Sequence, residues 1–203
     1  SGANTYTGGT TLNAGGIALG AGGSLASTGA VSLLGSGTTF DISQASAQTI
    51  GALTGIANTS IALGNNTLTF GDATHQTFSG SFTGNGGGIV KQGTGTMTLT
   101  GTHTAGGGIN VRAGTLVLQG SAFANATPLA LTGNSATLDL SAATSMTFGA
   151  LSGVNGSTLL IGNQTLTVGD ASNSTFGGTI SGAGGFVKQG TGSLLLSGAQ
   201  TFT

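Results

Sequence analysis

Apolar residues alternate with threonine, serine, alanine or aspartate in short runs along the chain: Ile17-Ala18-Leu19, Val31-Ser32-Leu33, Phe40-Asp41-Ile42, Ile61-Ala62-Leu63, Leu68-Thr69-Phe70 and Met97-Thr98-Leu99. A period of two sends one side chain inward and the next outward, so each run predicts a half-buried strand. Leu116-Val117-Leu118 and Leu194-Leu195-Leu196 read the same way. No stretch holds apolar residues at helical spacing without an intervening glycine or asparagine, both poor in helix interiors. Turn signals punctuate the strands roughly every seven to ten residues. Among them are Gly8-Gly9, Gly22-Gly23, Gly64-Asn65-Asn66, Gly86-Gly87-Gly88, Gly106-Gly107-Gly108 and Gly184-Gly185.

The runs belong to a tandem repeat. Thr39–Gly84 matches Thr137–Gly182 without a gap at an offset of 98, with 21 of 46 positions identical. One residue is then dropped, and Val90-Lys91-Gln92-Gly93-Thr94-Gly95 returns as Val187-Lys188-Gln189-Gly190-Thr191-Gly192. Ser1–Thr7 matches Ser197–Thr203. Residues 1–203 therefore read as one continuous unit of about two 98-residue periods, 39–136 and 137–203, with a partial 1–38. It begins and ends inside the period, as a fragment of something longer does, and no basic and apolar leader opens it. Short strands, glycine turns and tandem repetition favour a coiled solenoid. The expected fold is all-β: a right-handed parallel β-helix of roughly nine or ten rungs, stacked about 4.8 Å apart into a rod of ~45 Å. Inward columns are expected to pair Phe78 with Phe176, Phe70 with Val168 and Phe82 with Ile180. Two Ig-like sandwiches, one per period, compete with this fold, but would prefer longer strands and fewer double glycines.

Composition narrows the chemistry. Glycine fills 42 of 203 positions and proline one, without the three-residue period of collagen. A disordered linker has no reason to alternate its aliphatic residues. Charged residues are 3% of the chain, with a net charge of −1. Lys91, Arg112 and Lys188 form no basic surface for nucleic acid. No cysteine is present, which excludes disulfides and thiolate chemistry. Mean hydropathy is +0.31, yet no apolar run approaches the ~20 residues of a transmembrane helix.

The segment Lys91-Gln92-Gly93-Thr94-Gly95-Thr96-Met97-Thr98-Leu99 runs on through Gly101-Thr102-His103-Thr104 to Ala113-Gly114-Thr115-Leu116-Val117-Leu118. It resembles the autotransporter-associated β-strand repeat, also called the passenger-associated transport repeat. Ser1–Gly15 resembles the second half of that repeat and Lys188–Thr203 the first, so one complete and two half copies cover about a third of the chain. The central copy departs from the pattern, with His103 at its asparagine position, Ala105 at its tyrosine and Arg112 at the asparagine before Ala-Gly. The resemblance implies the passenger of a type V secreted protein of a Gram-negative bacterium. Such a passenger is exposed at the cell surface, anchored by a C-terminal outer-membrane β-barrel of the parent chain, and associated with export, adhesion and biofilm formation.

Candidate chemistry is sparse, and no catalytic, cofactor-binding or metal residue is assigned. His75 and His103 lie in Thr/Gly-rich sequence opposite Asn173 and Asn4, and read as exposed turn residues rather than zinc ligands. The aspartates recur in register, Asp41 with Asp139 and Asp72 with Asp170. Asp41 is expected to face solvent, and Asp72 to accept turn N–H groups rather than hold calcium. Lys91 and Lys188 read as solvated lysines at a strand exit. No nucleophile elbow, P-loop or dinucleotide fingerprint occurs, and seven charges give a β-helical lyase little to work with. The expected function is therefore a structural stalk, not an enzyme. Direct binding of host or bacterial surface glycans, or self-association, is the alternative. A threonine ladder of Thr67, Thr69, Thr96 and Thr98 would suit an ice surface, but does not recur at every rung.

Overall fold

A computed structural model describes residues 2–120, 123, 127–143 and 146–203. Alternation is realised strand by strand. In Thr67–Phe70, Leu68 and Phe70 are fully buried while Thr67 and Thr69 stay half-exposed, and Thr96–Leu99 and Thr115–Leu118 repeat the pattern. The strands named here pair in parallel into four sheets.

The first sheet runs β1 (Thr10–Leu12), β3 (Val31–Leu33), β6 (Leu53–Gly55), β9 (Gln76–Phe78), β12 (Thr96–Leu99), β14 (Thr115–Leu118), β16 (Thr137–Asp139), β19 (Thr158–Gly162), β22 (Thr179–Gly182), β25 (Thr201–Phe202). The second holds β2 (Gly16–Ala18), β4 (Thr39–Asp41), β7 (Ser60–Ala62) and β10 (Ser81–Thr83). The third runs β5 (Gln48–Thr49), β8 (Thr67–Phe70), β11 (Gly88–Lys91), β13 (Ile109–Val111), β15 (Leu129–Leu131), β18 (Leu151–Gly153), β21 (Ser174–Phe176), β24 (Leu194–Leu196). The fourth, β17 (Met146–Phe148), β20 (Leu166–Val168) and β23 (Phe186–Lys188), takes the second sheet's place in the chain order.

Register gives the pitch. Val31 lies opposite Thr10 and Leu53, and Thr137 opposite Thr115 and Thr158, so one turn takes about 21 residues. The chain is a parallel β-solenoid of about nine turns, as its alternation and glycines predict. No antiparallel pair occurs among the described residues, which removes the sandwich alternative. Along its axis the first sheet covers about 43 Å, at ~4.8 Å per strand.

Phe40, Phe70, Phe78, Phe82, Phe148 and Phe176 fill the interior, fully buried, beside aliphatic files. Each stabilises the fold by about 1.5–3 kcal/mol relative to exposure. Ring contacts tie the sides together, with Phe78 and Phe82 at 4.9 Å and Phe70 and Phe82 at 5.8 Å between centroids.

The expected columns are corrected. Phe78 lies on the first sheet and Phe176 on the third, Phe82 on the second and Ile180 on the first, Phe70 on the third and Val168 on the fourth. Sequence equivalence here does not mean stacking, because 98 residues make four and two-thirds turns of about 21 residues, not a whole number.

Glycine sets how tightly the turns stack. A Cβ on Gly95 would collide with the carbonyl oxygen of Thr74 one turn earlier, and one on Gly101 with that of Gly80. Two central turns differ from the rest: after β12 and after β14 the chain reaches the third sheet without a second-side strand among the described residues. Buried His103 and Ala105 occupy the first of these legs.

Candidate functional site

The four aspartates close turns. Asp72 Oδ1 accepts the Thr74 N–H at 2.8 Å and the Thr74 hydroxyl, and these bonds hold its carboxyl below the ordinary carboxylate range. Asp170 accepts the Ser172 N–H at 2.6 Å and, across to the previous turn, the Ala150 N–H at 3.0 Å; these backbone bonds likewise lower its pKa. Asp41 and Asp139 accept the N–H groups of Ser43 at 2.7 Å and Ser141 at 2.8 Å. Asp72 behaves as its sequence position predicts, and Asp41 sits half-exposed on the outer side of β4.

Lys91 corrects the expectation of a solvated side chain: it is 1% exposed. Its Nζ donates to the carbonyls of Gln92 at 2.8 Å, Gly93 at 2.9 Å and, one turn on, Ala113 at 3.1 Å. All three ammonium protons are thus used, and they join two successive turns at a corner. Burial pushes its pKa down to about 8, with the Asp72 carboxylate opposing that shift. Lys188, its repeat counterpart, is exposed as expected; it donates to Gln189 and Gly190, and no later turn covers it.

His103 is the second correction, buried at 1% exposure rather than placed on an exposed turn. Its ring lies 5.2 Å from that of Phe82 and 4.5 Å from that of Phe123. Nδ1 accepts the backbone N–H of Phe82 at 3.1 Å, which assigns the neutral ring's proton to Nε2. Nε2 finds no partner among the described residues, and burial pushes the pKa down to about 4. The physical reason is that, among the described residues, the turn after β10 has no strand on this side, and the imidazole takes the N–H that a strand there would pair. Gln200, at the matching repeat position, does the same for Ile180, accepting its N–H at 3.0 Å and donating to Gly178 and Gly198. Asn4, the third copy, donates to Ser24 O at 2.9 Å.

His103 and Gln200 share the acceptor role, whereas Asn4 acts as a donor; what the row Asn4, His103, Gln200 has in common is a polar side chain bonded to the backbone of the adjacent turn. His75 and Asn173 form another such pair, accepting the N–H groups of Thr96 at 3.1 Å and Ser193 at 2.8 Å in the next turn.

The outer faces carry hydroxyls. Thr96, Thr115, Thr137, Thr158 and Thr179 stand in one register file on the first sheet. Its neighbour file reads Thr98, Val117, Asp139, Leu160, Ser181. Thr67 and Thr69 lie on β8 of the third sheet, apart from Thr96 and Thr98, so the four do not make one ladder. A shallow groove of about 210 Å³ along the third sheet is bordered by Gly88, Val90, Gly108, Asn110, Pro128 and Ala130, without a titratable group. Among the described residues, no three of His, Cys, Asp and Glu come together as a metal site would require.

Comparison with known proteins places this architecture. The passenger-associated-transport-repeat family matches residues 1–19, 89–118 and 186–203. The adhesin BmaC autotransporter of Brucella suis biovar 1 (strain 1330) is 38% identical over 130 residues, which are 62% of this chain and 4% of that protein. The chain therefore spans a small fraction of that relative's length. No solved structure matches it. Lys91 and His103 fall inside the central matched stretch. Three stretches of the chain thus match the passenger-associated transport repeat, and the similarity to an autotransporter adhesin supports reading it as a passenger repeat region.

Proposed function

We propose that this chain is a stalk segment of a surface-exposed autotransporter passenger, a non-enzymatic length of solenoid within a longer adhesin-like parent. One observation carries the reading: the buried polar side chains Lys91 and His103 join successive turns, while the outer face of the first sheet presents mostly hydroxyl and alkyl groups. In the parent, a C-terminal outer-membrane β-barrel anchors the passenger and the stalk carries adhesive parts outward, in adhesion or biofilm formation. Export fits the same physics. Each turn contacts chiefly its neighbours, so folding of the emerged end can propagate as more chain arrives, and a chain with few charges and no cysteine offers little to impede threading.

The chain, fluorescently labelled, is applied to a glycan array and to host and bacterial cells. The stalk reading expects no saturable attachment. Specific, saturable binding would replace it with a direct glycan- or self-binding module, a reading favoured by the five-threonine file of the first sheet.

A further inference from the structure

The sequence repeats every 98 residues, but one turn of the solenoid takes about 21, so successive copies cannot share a side. The sheet assignments show the consequence. β4 and β7 on the second sheet have their equivalents β16 and β19 on the first. β6 and β9 on the first have theirs, β18 and β21, on the third. β8 and β11 on the third have theirs, β20 and β23, on the fourth, which stands in the second sheet's place. Every step moves the same way round, by one side of three.

The repeat motif present in three copies completes the circuit. Ala3 bridges Ser24, whose neighbour Leu25 donates to Gln48 of the third sheet. His103 closes against Phe82 of the second sheet, and Gln200 against Ile180 of the first. One motif thus visits all three sides within this chain.

We infer that the array is a surface with screw symmetry: each group that recurs once per period is presented one-third of a turn round from its previous copy. The axial step is about 22 Å, and the same side returns after three periods, about 67 Å along the axis at ~4.8 Å per turn. The rotated surface repeats its turn carboxylates Asp41 and Asp139, its amides Asn65 and Asn163, and its exposed apolar pair Ile56 and Val154. A flat lateral neighbour, such as a second copy laid alongside, would therefore meet the equivalent groups of successive periods on different sides.

Native cysteines are absent, so spin labels go only where they are introduced. Ala3→Cys, Thr102→Cys and Ala199→Cys, at exposed equivalent positions, are combined pairwise and their separations measured by double electron–electron resonance. The screw requires Ala3–Thr102 and Thr102–Ala199 together to exceed Ala3–Ala199 by about 10 Å, because the three points zigzag round the axis. Additive distances, the mark of three points on one side, overturn the inference. Thr77→Cys with Thr175→Cys, also exposed, gives a second reading: a separation well above the ~22 Å axial step is expected, and one near 22 Å contradicts it. Neither outcome bears on whether the chain binds cells or glycans, so failure here and failure of the stalk reading stay distinct.

Discussion

The central and C-terminal copies of the repeat share a sequence and differ in what covers them. At residues 89–118 the next turn follows, Lys91 is sealed beneath it, and Val90 is 7% exposed. At 186–203 no further turn lies over the motif among the described residues; Lys188 is open, Val187 is 45% exposed and Leu195 60%. The local hydrogen bonds are otherwise the same, since both ammonium groups donate to the following two carbonyls. Burial of a motif residue is therefore a property of the stack, supplied by a residue about 21 positions later, and the motif's polar side chains gain their energetic weight only when that turn arrives.

Substitutions that break a turn-to-turn contact should separate the two copies most. Gly95→Ala and Gly192→Ala each drive a Cβ into a carbonyl oxygen of the preceding turn, Thr74 and Ser172. β12 is held on both sides, by β9 and β14, whereas β24 is paired only with β21 and has room to move. Urea unfolding should show a loss of about 3 kcal/mol or more at Gly95 and a smaller one at Gly192. Equal losses would mean that the later turn does not pin the earlier one.

Lys91→Met and Lys188→Met come next. Removing the Lys91 ammonium leaves the carbonyls of Gln92, Gly93 and Ala113 without that donor, a cost of about 1–3 kcal/mol, while the exposed Lys188 should matter by less than ~0.5 kcal/mol. The pH dependence has a defined sign. Lys91 holds its proton less tightly in the fold, at about 8, than at its ordinary 10.5, so the unfolded chain binds more protons between those values. Stability should rise with pH across that window in the native chain, and stay flat there in Lys91→Met.

His103→Gln is a milder change, importing the residue that Gln200 already uses. At neutral pH the expected change is within about 1 kcal/mol, because the acceptor for the Phe82 N–H is kept. Acid behaviour should differ. His103 binds its proton at about 4 in the fold against an ordinary 6.5, so the native chain loses stability as pH falls from 6.5 towards 4. The glutamine variant should not show that loss. Thermal midpoints across this range provide the check. The smallest effect is expected at outward Thr98, where Thr98→Ala should shift stability by less than ~0.5 kcal/mol.

Much of this was legible in the sequence. Leu68 and Phe70 announce an inward face, Gly71 and Asp72 a strand end, and the recurrence of Val90-Lys91-Gln92-Gly93 a repeating array. The burial of Lys91 and His103 is not legible there, because it depends on residues a full turn away, which local patterning does not reveal. The equivalence of Phe78 and Phe176 was legible as well, but their sides of the solenoid follow from dividing the period by the turn length, and the latter comes from register. The surface chemistry is bland in both views, since only seven charged residues are spread over the chain.

Motif side chains such as His103 and Gln200 accept strand N–H groups across adjacent turns and so close the solenoid's sides. Amide hydrogen exchange at Phe82 tests it most directly, in the native chain and in His103→Ala, with Ile180 as the internal reference. The account predicts a protected Phe82 amide that exchanges many-fold faster in the variant, while the Gln200-capped Ile180 amide is unchanged. A Phe82 amide that is already fast in the native chain, or one indifferent to loss of the imidazole, would contradict it.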